Sequence, residues 1–347
     1  MGLSAATVGR GVQELLDAEC LIEVDGGGVP SGRPRVSLEV NPAYAYALVL
    51  DIKVQAAVVG LIDFSGQIVD RRRITVPMEQ VALAMQQLPS ALRAMADAHV
   101  EESRRIVGLG IAITGTWDTA QHALVFSPTL PGWHGINLMQ VFQILPEREV
   151  IIDNDSRAAA MAELTVGAGR RLEDFLYVYG DFGIGSAIVH QRRLVRGQDN
   201  LAGGLGHALV SADVDAPMCT GCGRTGCLGA LVNADLILHQ VEQGISREQV
   251  LHTMATYLAV PITNVLNQIC PEALILGGEL FAIYPELYPL VVQACRERLL
   301  HHIVHRISFV RAERDPDAAI VGMASRVFAR DLRRRPTRLL PLALSES

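Results

Sequence analysis

The residues of this 347-residue chain best suited to chemistry lie between Ala202 and Leu228. One histidine, His207, and three cysteines, Cys219, Cys222 and Cys227, fall there, separated by glycines and a proline. A Cys-x2-Cys pair lets one tight turn aim two thiolates at one point, and zinc favours four such soft or borderline ligands in a tetrahedron. Gly221, Gly223 and Gly226 supply the positive-φ freedom that such a knuckle needs. A structural Zn²⁺ held by His207, Cys219, Cys222 and Cys227 is therefore expected. The other chemistry open to this spacing is a redox Cys-x-x-Cys, or thiols that are simply buried.

The same stretch carries a resemblance. Gly206-His207, followed by Cys222-Gly-Arg-Thr-Gly-Cys227-Leu228, resembles the signature of the ROK family (repressors, open reading frames, kinases). The usual form there is Gly-Glu-Ile-Gly-His, a spacer, then Cys-x-Cys-Gly-x-x-Gly-Cys-Leu-Glu. This chain departs from it three times: Gly204 and Gly229 stand where the family has glutamates, and the first cysteine pair is one residue wider. The resemblance implies that those glutamates and the histidine grip sugar hydroxyls, so two expected polar groups are missing.

Upstream, Asn154-Asp155-Ser-Arg-Ala-Ala-Ala-Met-Ala-Glu163 is a helix start that resembles the family's Asn-Asp-x-x-x-Ala-Ala-x-x-Glu. By resemblance Asn154, Asp155 and His207 form the sugar site. In the family's kinases the aspartate takes the proton of the attacking hydroxyl; in a non-catalytic relative it only accepts a hydrogen bond, so Asp155 is a vestigial base. The other role open to it is to cap the helix beside it. Ser127-Pro-Thr129-Leu-Pro-Gly-Trp133 matches a family loop in which Thr129 replaces a sugar-binding asparagine, with Trp133 assigned to packing.

Two further family motifs are degraded. Asp51-Ile-Lys53-Val-Gln55 occupies the place of Asp-x-Gly-Gly-Thr, and Asp181-Phe-Gly-Ile-Gly185 that of Gly-Thr-Gly-Ile-Gly. Phosphate loops need glycines so that backbone amides approach the phosphates. A β-branched Val54 and a carboxylate at Asp181 oppose that, and Lys53 is one cation against the loss of a loop. No catalytic activity is expected.

The elements that position these residues follow from periodicity. Apolar runs from Tyr46 open a three-stranded meander, residues 78–103 are helical with Pro89 expected to kink or split them, and Val107–Thr114 is a buried strand. Residues 230–270 and 285–301 read as helices, 273–277 and 306–310 as strands, and 318–328 as a closing helix. The tail from Arg330 reads as loosely ordered. The expected fold is α/β, the actin-like (ribonuclease-H-like) two-lobe sugar-kinase fold of the family. Its plan is a truncated winged helix-turn-helix over 1–41, a first lobe over 42–160 and a second over 161–317. The knuckle at 207–227 belongs to the second lobe, and a helix near 318–330 packs back on the first.

Residues 2–20 put Leu3, Val8, Val12, Leu15 and Leu16 at near-helical spacing, with Ser4 as N-cap. Two strands follow, joined by a glycine-rich turn and Gly32-Arg33-Pro34. The stretch is similar to the recognition helix and wing of ROK repressors, which assigns DNA contacts to Ser4, Thr7, Arg10 and Arg33. A complete reader needs two supporting helices before this one, and the sequence opens on the reading helix itself. Residues 1–41 also carry three basic residues against six acids, a poor balance for phosphate contact.

A net charge of −7 does not mark a nucleic-acid binder but leaves room for a small reading module. No apolar run reaches membrane-spanning length, no leader pattern opens the chain, and the clustered cysteines suit a reducing cytoplasm. The reading is a ROK transcriptional regulator, a repressor sensing a sugar or sugar derivative, with operator DNA as partner. The resemblance implies a homodimer or homotetramer. The alternatives are a ROK hexokinase using ATP, or a non-catalytic scaffold.

Overall fold

Apolar runs punctuated by turns fold into two five-stranded sheets of the same design. The computed structural model describes residues 4–25, 36–118 and 122–334. An N-terminal helix (Ala5–Asp17) leads to an antiparallel hairpin of β1 (Leu21–Asp25) and β2 (Val36–Val40). As its sequence suggests, Ser4 caps the helix, its hydroxyl accepting the Thr7 N–H at 3.2 Å. Thr7 and Arg10 are exposed on this helix; Arg33 lies outside the described residues.

The first sheet takes β3 (Tyr46–Ile52), β4 (Ala57–Asp63), β5 (Ile68–Ile74) and β6 (Ile106–Ile113). A small ribbon of β7 (Thr116–Asp118) and β8 (Ala123–Phe126) precedes its last strand, β9 (Glu149–Asn154). The second sheet takes β10 (Phe175–Gly180), β11 (Ile184–His190), β12 (Arg193–Leu194), β13 (Ala273–Gly277) and β14 (Ser308–Arg311). The spatial orders are β5-β4-β3-β6-β9 and β12-β11-β10-β13-β14. In each, a three-stranded antiparallel meander is followed by two strands that add in parallel. The duplicated order is the actin-like arrangement.

Strand periodicity assigns the faces. From β3, Leu48, Leu50 and Ile52 face the outer helix Val81–Ala98, while Ala47 and Val49 face inward. From β10, Leu176 and Val178 meet the outer helices Arg247–Ile269 and Leu287–Arg298, while Phe175, Tyr177 and Tyr179 face inward. Both inner faces close on one pair of helices, a cleft helix (Asp155–Val166) and a closing helix (Ala318–Arg334). These cross closely because their contact is built of small residues. A Cβ on Gly322 would fall 1.7 Å from the Ala158 carbonyl oxygen, so only glycine fits there.

Two expectations are corrected. Pro89 does not divide its helix, which runs unbroken over Val81–Ala98 with the ring buried. The closing helix extends past Phe328 to Arg334, and Arg330 and Arg334 pair with Glu149 at 3.1 and 2.8 Å. Residues 335–347 of the expected tail lie outside the described residues. Among the described residues, no helix is long and apolar enough to cross a membrane.

Candidate ligand cleft and metal centre

A cavity of about 640 Å³ opens between the lobes, lined by the ends of β3, β9, β10 and β11 and by the knuckle. Its floor is the start of the cleft helix. Asn154 ends β9 and caps this helix, its amide oxygen accepting the Ser156 and Arg157 N–H groups at 3.1 and 3.3 Å. Its amide nitrogen donates to the Gly115 carbonyl at 3.1 Å. The cap therefore falls to Asn154, and this fixes its orientation. Asp155, the first helical residue, accepts the Ser156 N–H at 2.7 Å and, among the described residues, no other hydrogen bond. Burial, and then the Asp51 and Asp181 carboxylates, push its carboxyl up to about 7. A group at that value changes charge near neutrality and, once ionised, accepts hydrogen bonds from hydroxyls.

His207 lies across the same cavity. Its Nδ1 stands 3.6 Å from Cys219 Sγ, and Cys222 Sγ stands 3.5 Å from Cys227 Sγ. One ligand atom from each of the four residues lies within 4.8 Å of all the others. Four ligands at about 2.3 Å from a tetrahedral zinc stand roughly 3.8 Å apart, so the donors lie near the spacing such an ion needs. With Nδ1 turned to the thiols, Nε2 is the ring nitrogen left for another partner.

The turn geometry is partly as the sequence suggests. Gly223 and Gly226 both have φ +72. Gly221 instead permits close approach: a Cβ there would meet Pro128 at 2.5 Å and the His207 ring at 3.0 Å. The knuckle thus presses on the Ser127–Thr129 loop of the first lobe, and the Phe126 ring meets His207 edge-on at 5.7 Å. Thr129 lines the cavity. Trp133 is fully buried and donates to the Met78 carbonyl at 2.8 Å, which is a packing role.

The other half of the cavity is bridged by a pair of side chains. The turn after β3 and the turn between β10 and β11 occupy equivalent places in the two lobes and face each other. Lys53 Nζ of the first reaches Asp181 Oδ2 of the second at 2.5 Å, Tyr179 Oη at 3.3 Å and Asp51 Oδ2 at 3.7 Å. The Lys53 N–H bonds the Ala56 carbonyl and the Asp181 N–H the Gly183 carbonyl, both at 2.9 Å. The Gly278 N–H is held by Asp315 Oδ2 at 2.6 Å. One amide of each of the two facing turns is therefore already bonded within the protein, as is the Gly278 amide. Burial raises Asp51 to about 6 against the pull of Lys53, with Asp181 adding to the rise, and Asp315 also sits at about 6, chiefly through burial.

Comparison with known proteins fits this geometry. The family model described as "ROK family" matches residues 47–329. The chain belongs to the ROK family. It is similar to the xylose repressor of Bacillus subtilis, at 24% identity over 341 residues, covering 93% of this chain and 88% of that one. It is also similar to the N-acetylmannosamine kinase of Escherichia fergusonii, at 28% identity over 294 residues, covering 80% and 96%. Among solved structures it resembles a ROK family transcriptional regulator, a homologue of the E. coli MLC protein, with TM-score 0.74 and 19% identity. That match covers 95% of this chain and 90% of the other.

Within this ROK chain the structure brings Asn154, Asp155 and His207 to one cavity, as their motifs suggest, with the metal-type cluster against it. Two groups escape a reading of the sequence. Asp315 comes from a loop with no motif. Asp153, fully buried beneath the floor, binds Arg157 at 2.9 Å and Arg196 at 3.1 Å, and also Arg326 of the closing helix. Burial pushes its carboxyl up, but Arg326, Arg157 and Arg196 outweigh that and hold it down at about 2. The one available signal was an aspartate and an arginine spaced i, i+4 at a helix start.

Proposed function

We propose that this chain is a ROK transcriptional regulator, acting as a repressor, whose cleft senses a sugar or sugar derivative and transfers no phosphoryl group. The observation that carries this reading is the Lys53–Asp181 pair, with the Lys53, Asp181 and Gly278 amides already bonded. Phosphoryl transfer needs amides, cations and Mg²⁺ free to meet the nucleotide, and here the lysine and one amide of each facing turn are bonded to the protein itself. The sugar half keeps Asn154, Asp155 and His207 around open space. Coverage by the repressor relative extends before residue 47, since residues 47–347 are under nine-tenths of the chain. The kinase relative covers 80%.

In this reading residues 1–41 are the DNA-reading segment, using Ser4, Thr7, Arg10 and Arg33, and 42–160 and 161–317 are the two sensor lobes. Zn²⁺ at His207, Cys219, Cys222 and Cys227 is structural and fixes the ring that faces the ligand. The sugar binds one lobe arrangement better than another and shifts their population. A homodimer or homotetramer presents paired reading helices to two half-sites. The second reading, a hexokinase, draws on Asp155 alone: a carboxyl raised to about 7 is suited to a general base.

The test is selection of genomic DNA fragments on the full, zinc-loaded chain, followed by binding titrations with and without sugars. A discrete fragment whose affinity changes with one sugar, and which is lost in Arg10→Glu, is the expected result. Fragments no better retained than by Arg10→Glu would remove the regulator reading.

A further inference from the structure

Gly203, Gly204, Gly206 and Gly229 are among the glycines that line the cleft. The backbone demands two of them. Gly203 has φ +99 and a Cβ there would lie 2.3 Å from the Ser186 carbonyl oxygen; at Gly206 it would lie 2.3 Å from that of Ile184. The other two differ. Gly204 has φ −73 and ψ 40, and a Cβ on it would meet no atom within 4 Å. Gly229 sits in a one-turn helix with no positive φ that would call for glycine. The nearest atom to a Cβ there would be the Gly206 carbonyl oxygen, at 3.3 Å, which a shift of a few tenths of an ångström relieves. Neither backbone conformation nor packing excludes a side chain at these two positions, and both face the cavity.

We infer that the space beside Gly204 and Gly229 is a second subsite, which takes a further sugar ring attached to the one held at Asn154, Asp155 and His207. The ligand class is a neutral disaccharide or larger glycoside. This rests on the sugar-sensor reading of the cleft. The subsite's surroundings fit a polyol. Asn233 and Asp235 line the cavity near the glycine wall, and exposed Leu201 offers an apolar surface to a ring face. The Asn233 amide oxygen already caps a helix by accepting the Leu236 N–H at 2.7 Å, which leaves its NH₂ to donate to hydroxyls. Among the described residues, three cations line the cavity: Arg157 and Lys53 are committed to Asp153 and Asp181, so neither favours a phosphorylated or acidic sugar, and Arg73 is an exposed residue of β5.

The test is calorimetry on the full, zinc-loaded chain with glucose, maltose, cellobiose, xylose and xylobiose, repeated with Gly204→Val. The expected result is that a disaccharide binds at least about tenfold tighter than its own monosaccharide, a gain of about 1.4 kcal/mol. Gly204→Val should abolish that advantage and leave the monosaccharide affinity within about threefold, well under 1.4 kcal/mol. Melting temperature and zinc content report whether the variant is folded, and Gly204→Ala should give an intermediate loss should valine disturb it. Tighter binding of the monosaccharide, or a disaccharide affinity untouched by both variants, overturns the second subsite and leaves the sensor reading standing. Silence with all five sugars overturns both.

Discussion

The two halves of the cleft lie between the same two lobes, yet their residues have been treated in opposite ways. In the nucleotide half, equivalent turns of the two lobes are joined by Lys53 and Asp181, and the Lys53, Asp181 and Gly278 amides are bonded within the protein. In the sugar half, Asp155 keeps capacity to accept, and two glycines stand where the backbone needs none. One half of a cleft can be bridged by a few side chains while the other stays open, because the sheets hold the strand ends in place whatever residues follow them. Fold therefore says little about activity, and the residues at the strand ends say most.

The strongest perturbation breaks the frame that both halves share. Asp153→Asn leaves Arg157, Arg196 and Arg326 around a neutral group, and loss of one partner in a buried ion cluster costs about 3–5 kcal/mol. The melting temperature should fall by roughly 4–7 °C. The acid limb carries the sign. Asp153 titrates at about 2 in the folded chain against 3.8 as a free group, so its contribution is present above pH 3.8 and lost as pH falls through about 2. The Asp153→Asn substitution should remove that part of acid unfolding, and an unchanged melting temperature would deny the cluster its structural role.

Cys222→Ser should next lower bound zinc well below about one ion per chain, with a matching loss of thermal stability. Zinc that stays stoichiometric would show the ligand set to be wrong. Asp155→Ala removes a charged acceptor worth about 1.5–3 kcal/mol, so sugar affinity should fall roughly 10–100-fold while the fold persists. Calorimetry reads this directly, and a fall under about threefold would leave Asp155 outside the ligand contacts.

Lys53→Met sharpens the contrast from the nucleotide side. It strips the cation from Asp181 and Asp51 but leaves the Lys53 and Asp181 amides on their carbonyl partners, so the variant should still bind no Mg²⁺-ATP. Gain of nucleotide binding would mean that the salt bridge alone closes that half. The mildest change is in pH. Asp155 sits at about 7 against 3.8 as a free group, so ionising it as pH rises from about 4 to 7 weakens folding. Over the upper part of that range it also supplies the charged acceptor, and sugar affinity should rise between about pH 6 and pH 8. A flat profile in the wild type would separate Asp155 from binding.

Much of this is written in local sequence. The knuckle was legible because His207 and three cysteines lie close in the chain, and the strands because apolar runs alternate with turns. The damage to both phosphate motifs was legible from Val54 and Asp181 taken one at a time. What could not be read is that Lys53 and Asp181 answer each other across 128 residues, since pairing over that distance depends on how the lobes dock. Asp315 and the Asp153 cluster were hidden for the same reason. The sequence suggests one kind of freedom for Gly221, Gly223 and Gly226, and the structure shows two. Gly223 and Gly226 take a positive φ, while Gly221 admits a neighbouring ring. Only neighbours in space distinguish these.

If one half of the cleft binds ligand and the other does not, titration calorimetry of Mg²⁺-ATP against the zinc-loaded chain, alone and with each sugar of the panel, separates them in one experiment. The expected outcome is micromolar to millimolar binding of a sugar with no heat from nucleotide under any condition. Nucleotide binding, above all binding strengthened by a sugar, would contradict this and make the chain a kinase.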